Sequence, residues 1–157
     1  MRCTLLLVGK TSESYLNQGI QKYVDRIKHY ISFEVVVVPD LKNVKSLTRE
    51  QQKKQEGELL LKTLDENDLV ILLDENGETM SSESFADWLQ KKMMFLHKRI
   101  VFVVGGPYGF SDAVYQRAAF QLSFSKMTFS HQMIRLFFVE QLYRAMTIIK
   151  REPYHHA

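Results

Sequence analysis

Four stretches of this chain are apolar on nearly every residue, among them Leu5-Leu6-Leu7-Val8, Val35-Val36-Val37-Val38 and Ile100-Val101-Phe102-Val103-Val104. A strand with one wet face alternates apolar and polar side chains, so a strand that does not alternate has to be covered on both faces. The pattern predicts strands over about 2–8, 33–38, 68–73 and 99–104, with a short one near 121–124. Helical patterns separate them. Leu16, Ile20, Tyr23, Ile27 and Tyr30 recur at three- and four-residue steps behind a Ser12/Ser14 cap region, which places them on one face. Residues 47–64 are charged at the start and apolar at Leu59, Leu60, Leu61 and Leu64, so they predict a helix docked by its C-terminal half with a wet middle. Ser81-Ser82-Glu83, Ser111-Asp112 and Ser130 each open a further helix, the last running to about Lys150. The order βαβαβαβαβα with doubly buried strands implies an α/β fold, a parallel sheet flanked by helices.

With 157 residues, 45% of them hydrophobic, the chain can build one sizeable core, and it reads as a single domain over 1–157. Its apolar runs are far shorter than the roughly 20 residues of a membrane span, and its start lacks the pattern of a signal peptide, so the cytoplasm is the expected compartment. The lone Cys3 reads as a core residue without chemistry. A net charge of +3 hides an uneven distribution: residues 1–120 are balanced, whereas residues 121–157 carry Lys126, Arg135, Arg144, Lys150 and Arg151 against Glu140 and Glu152. A polyanion would be met by this end, although a solvated helix face explains the same excess.

In open α/β sheets ligands gather beyond the carboxyl ends of strands, which singles out Leu73-Asp74, Gly105-Gly106 and the segment after Phe124. The turn Gly105-Gly106-Pro107-Tyr108-Gly109 lets a backbone come close to a ligand, or is simply tight; it lacks the spacing of a dinucleotide or triphosphate loop. In Leu122-Ser123-Phe124-Ser125-Lys126-Met127-Thr128-Phe129-Ser130-His131, hydroxyls and apolar residues mix almost without charge. That mixture suits a ligand with an apolar ring and polar edges, or a core edge with Ser/Thr turns. The ending Tyr154-His155-His156 offers a ring to stack on a base and imidazoles to meet phosphate or move a proton. Two histidines alone complete neither a metal set nor a tag.

Taken together, the strand ending at Leu73, the Gly105–Gly109 turn, the Leu122–His131 loop, Arg135, Glu140, Tyr143-Arg144-Ala145 and Pro153-Tyr154-His155 closely resemble the RlmH (YbeA-like) family, the smallest SPOUT methyltransferases. The resemblance covers the whole chain. It implies a SPOUT-type α/β knot, in which the C-terminal segment threads a loop to form a trefoil knot, an exception to the rule against knots. It also implies an enzyme that methylates N3 of the helix 69 pseudouridine of 23S rRNA in the assembled 70S ribosome. S-adenosyl-L-methionine would be held by Leu73, Gly105, Phe124, Ser125, Lys126, Met127, Thr128 and Phe129. Lys126 should aim its ammonium away from the sulfonium.

By the same resemblance the molecule is a homodimer whose active sites are completed by the partner. The helix after Ser130, apolar at Ile134, Phe137, Phe138, Leu142, Ala145 and Ile149, would then lie at the interface; periodicity alone makes that stripe core. Tyr154 would orient or stack the base, His155 would assist proton loss or bind phosphate, and Arg135, Arg144 and His156 would hold RNA. Members end in Lys or Arg where this chain has His156, which makes that contact dependent on protonation. Rival readings are a knotted enzyme with another RNA target, a non-catalytic RNA-binding module, and a nucleotide-binding α/β protein. Binding of S-adenosyl-L-methionine separates enzyme from module.

Overall fold

The computed structural model describes residues 2–95 and 99–156. Strands β1 (Arg2–Val8), β2 (Ser32–Val38), β3 (Leu69–Thr79), β4 (Ile100–Val104) and β5 (Phe120–Ser123) form one sheet in the order β2-β1-β4-β3-β5. All neighbouring pairs are parallel. Helices α1 (Ser14–Ile27), α2 (Arg49–Thr63), α3 (Ser82–Phe95), α4 (Asp112–Arg117) and α5 (Met133–Ile149) alternate with them.

The unbroken apolar runs have a simple cause: alternate residues of one strand serve two separate cores. Cys3, Leu5, Leu7, Phe102 and Val104 pack with Leu16, Phe85, Phe138 and Leu142 of α1, α3 and α5. Leu6, Val8, Val101 and Val103 pack on the opposite face with Leu60 of α2 and Val114 of α4. The exception is β2. Its Val35–Val38 run reads as doubly covered, but β2 is a sheet edge, and Val37 is 40% exposed.

Local chemistry starts most helices where the sequence places them. Thr48 and Gln51 close a capping box on α2, and the hydroxyls of Ser81, Ser111 and Ser130 accept from backbone N–H groups three residues on. The Ser12/Ser14 cap does not form: Glu13 holds the cap position of α1 without a side-chain bond, and the Ser12 N–H instead ties the segment to α5 by donating to Gln132 Oε1 at 2.9 Å.

Two packing expectations are corrected. The middle of α2 is not wet: Glu56 and Gly57 are buried there, because a missing Cβ at Gly57 lets Ser111 and Val114 come close. Nor is the α5 stripe free for a partner. Phe138, Leu142 and Ala145 are at most 1% exposed inside the chain's own core, Phe138 lying 4.7 Å from Phe102 ring to ring. Only the flank is open, with Phe137 43% exposed. Among the described residues no helix is long and apolar enough to cross a membrane.

β3 runs past its expected end at Leu73 to Thr79, through an irregularity that shapes the site. Leu73 and Glu78 both pair with Leu122, so residues 74–77 bulge out beyond the sheet. Gly77 permits this, since a Cβ there would stand 2.6 Å from the Gln121 backbone.

Candidate active site

The carboxyl ends of β3, β4 and β5 open into a cavity of about 830 Å³. Each wall has a different origin. Leu73 ends the regular part of β3, and Asp74, Glu75 and Asn76 come from the bulge; Val104, Gly105 and Gly106 leave β4; Leu122 through Ser125 leave β5. The chain then turns along the rim through Met127, Thr128, Phe129, Ser130 and His131 and enters α5, whose Ile134 is the last residue on the wall. The Gly105–Gly109 turn is closed by the Gly109 N–H donating to Gly106 O at 3.2 Å.

The loop is tied to the bulge. Thr128 Oγ1 donates to Glu75 Oε2, and the Tyr115 hydroxyl donates to Asp74 Oδ2. Burial and then Asp74 push the Tyr115 phenol well above its ordinary pKa, so it remains a donor. Within the loop, Ser123 Oγ donates to Ser125 O at 2.8 Å, and Ser125 Oγ accepts from the Met127 N–H at 3.0 Å. Two of its hydroxyls, Ser123 and Ser125, thus satisfy its own backbone, and a third, Thr128, holds it to the bulge. His131 is pushed below its ordinary pKa by burial and then by Arg135, so the imidazole on the wall is neutral.

Of the eight residues expected at a cofactor, seven line this cavity; Lys126 is exposed and outside it. The walls also include Arg49 and Lys53 from the start of α2, which no sequence pattern pointed to. The Arg49 guanidinium stands 5.0 Å over the Tyr108 ring, and Lys53 pairs with Glu50 at 2.9 Å.

The tail lies elsewhere. Tyr154 packs on Tyr143 with ring centroids 4.7 Å apart, and Tyr143 is about 13 Å along α5 from the Ile134 wall at 1.5 Å per residue. Its hydroxyl donates to Glu140 Oε1 at 3.0 Å and meets the Tyr23 hydroxyl at 3.5 Å. Burial, then Tyr23 and Glu140, raise its pKa, so this phenol keeps its proton. Arg144 Nη2 donates to the same Glu140 oxygen at 2.6 Å, and Arg144 Nη1 to His155 Nδ1 at 3.1 Å. Because a guanidinium can only donate, Nδ1 accepts and the His155 proton rests on Nε2, which donates to Glu83 Oε1 at 2.7 Å. His156 is exposed.

Arg135 is corrected. The expected RNA contact is 0% exposed. Its guanidinium donates to Val8 O, Gly9 O, His131 O and Thr11 Oγ1 at 2.7, 2.8, 3.0 and 3.0 Å. It sits at the carboxyl end of β1, where strand carbonyls need donors, and fixes the start of α5 against that edge. A wholly buried cation cannot meet a phosphate. Arg144, with 24% of its side chain exposed, is bound to Glu140. Among the described residues no cluster of His, Cys, Asp and Glu could hold a metal.

An all-parallel sheet covered on both faces, with a cavity at its carboxyl edge bordered by the segment that returns into α5, defines an α/β domain with a candidate ligand site at its strand ends. The family model described as "Predicted SPOUT methyltransferase" matches residues 1–155. Curated relatives named "Ribosomal RNA large subunit methyltransferase H" are 57% identical in Bacteroides fragilis and 56% in Parabacteroides distasonis, each over 156 residues and 99% of both chains. Among solved structures, a probable methyltransferase from Bordetella pertussis Tohama I has the same fold, with a TM-score of 0.59 at 10% identity over 92% of this chain and 94% of that one. A probable methylase family protein from Haemophilus influenzae Rd KW20 gives 0.52 at 14% identity, covering 99% and 70%. The chain belongs to the RlmH family of SPOUT methyltransferases.

Proposed function

We propose that this protein methylates N3 of the helix 69 pseudouridine of 23S rRNA in the assembled 70S ribosome, using S-adenosyl-L-methionine and working as a homodimer. The observation that carries the reading is the convergence of Leu73, Gly105, Phe124, Ser125 and residues 127–129, from three strand ends, on one cavity. The cavity suits the cofactor. Leu73, Val104, Leu122 and Phe124 offer apolar walls for a base, the glycine backbone offers close polar groups, and Asp74 and Glu75 supply the negative edge a sulfonium favours. When bound there, the cofactor supplies a methyl group on a positively charged sulfur. A trefoil threading of residues 124–134 past the bulge is part of this reading.

The chain's own contribution is chiefly orientation, which can remove roughly 7–11 kcal/mol from a two-reactant barrier. The ring nitrogen must also lose a proton. Tyr154 keeps its own and so serves to orient or stack the base. His155 becomes a proton acceptor or a phosphate donor only after Nδ1 leaves Arg144, and the same exchange frees Arg144 Nη1 for RNA while Nη2 stays on Glu140. His156 and the exposed Lys150 and Arg151 face solvent for further phosphate contacts.

The dimer reading is supported by the tail's distance from its own cavity: a tail that packs away from it is placed to complete the partner's. It is also supported by the exposed apolar edge of Phe137 and the 77% exposed Met127 beside the cavity. Labelled methyl transfer to 70S ribosomes and separated subunits from cells lacking the gene tests the reading. Label on the helix 69 pseudouridine of 70S particles is expected. Label on another nucleotide would move the target, and failure to bind S-adenosyl-L-methionine would overturn the enzyme reading for a binding module.

A further inference from the structure

Behind the glycine turn, on the side away from the cavity, lies a side chain that neither the fold nor the reaction explains. Glu56 is in the middle of α2, 5% exposed. Its Oε2 accepts from Gln52 Nε2 at 3.2 Å, and among the described residues its Oε1 is the buried side-chain oxygen or nitrogen with no hydrogen-bond partner. Leaving a buried polar group unpaired is destabilising, and an apolar residue would avoid that cost.

Its location is specific. A Cβ on Gly106 would meet Glu56 Oε1 at 2.5 Å and Oε2 at 2.7 Å, so the carboxyl lies directly against the Gly106 backbone. Arg49, Lys53 and Glu56 fall at i, i+4 and i+7, so one face of α2 runs along this side of the site: the first two are on the cavity wall and the third is behind the turn. We infer that Glu56 is a positioning residue, bracing the Gly105–Gly109 backbone from behind in the shape with which it grips the cavity's ligand. The inference rests on the cofactor reading only for the identity of that ligand.

A brace of this kind is sensitive to its own charge. Burial and then, against the Gln52 hydrogen bond, the neighbouring Asp40 hold the Glu56 carboxyl above its ordinary pKa. The groups facing it are Gln52 on its own helix, Asp40 from the loop after β2, and the Gly106 backbone. His131 and Arg135, near the start of α5, both feel the charge of Asp40. For an acid whose pKa is raised by folding, stability is full at low pH and falls as pH rises from the unfolded towards the folded value. Ionised, Glu56 would be a buried charge with one oxygen unsatisfied, and the turn it supports would have to shift.

The test follows the turn with and without ligand. In the full-length protein, the amide resonances of Gly105, Gly106 and Gly109 are expected to move in one shared titration above the ordinary carboxylate range, and Glu56→Gln should abolish it. S-adenosyl-L-methionine affinity, measured by calorimetry across the same range, should fall severalfold through that window in the wild type and stay flat in Glu56→Gln. Asp40→Asn, which removes the neighbouring charge, should move the window to lower pH. Glycine amides that do not titrate, or that titrate unchanged in Glu56→Gln, would overturn the inference. If the wild type bound no cofactor, the cofactor reading would fall, and the ligand-free amide titration would still decide whether Glu56 braces the turn.

Discussion

At the carboxyl edge of the sheet, Leu73, Gly105 and Phe124 border an open cavity held in shape from outside, by Thr128 on Glu75, Tyr115 on Asp74 and Glu56 against Gly106. At the C-terminus the polar groups are spent on one another: Tyr154 and Arg144 share Glu140, and His155 bridges Arg144 and Glu83. A cavity fixed by its frame is ready for a ligand as it stands. A closed set of hydrogen bonds has first to be exchanged for others of similar strength, so under the proposed function the tail acts after docking.

The comparison breaks most sharply at Gly105, where a Cβ would stand 3.0 Å from the Phe110 ring. Gly105→Val should reduce cofactor affinity by more than about 100-fold and abolish turnover, while the tail keeps its contacts, as calorimetry and methyl-transfer assays would register. The tail variants Tyr154→Phe and His155→Ala should behave in the opposite way, losing about 100-fold in turnover with cofactor affinity unchanged. Mixing Gly105→Val with His155→Ala subunits should restore about a quarter of wild-type activity, because half of the dimers are mixed and each has one complete site. No recovery would place each tail at its own cavity.

Arg135 sharpens the boundary between structure and RNA binding. Arg135→Met strands the carbonyls of Val8 and Gly9 and should cost about 3 kcal/mol in urea unfolding, without changing the salt slope of ribosome binding. Lys150→Ala should leave stability intact and lower that slope by about 1. The smallest effect concerns pH. The Glu83 carboxyl is held below its ordinary value of 4.5, first by the His155 hydrogen bond. A carboxyl lowered by folding contributes above its unfolded pKa and loses that contribution as pH falls through its folded one. The His155–Glu83 contact should therefore persist at neutral pH and be released only in acid below 4.5, as chemical shifts of the Glu83 carboxyl would register.

The pattern of apolar residues was sufficient for the sheet and its helices, because burial on one or two faces is a local property that periodicity records. The same pattern overstated β2, since a sheet edge has the same composition as its centre and differs only in having one neighbour. The segments of the cavity were legible as Gly105–Gly109 and 122–131 because a ligand-facing backbone requires unusual residues in short runs. The walls from Arg49 and Lys53, the bulge at 74–77 and the brace at Glu56 were not legible: each depends on which residue stands opposite, across more than 20 positions of sequence. Charge was the least legible of all. Arg135 and Lys150 are alike as letters, yet one secures the end of β1 and the other faces solvent. The sequence by itself determined an α/β domain with a candidate ligand edge and a chemically capable tail. Only the tertiary structure decided which charges are buried, which are paired and which are free, because burial and pairing depend on distances that the fold alone sets.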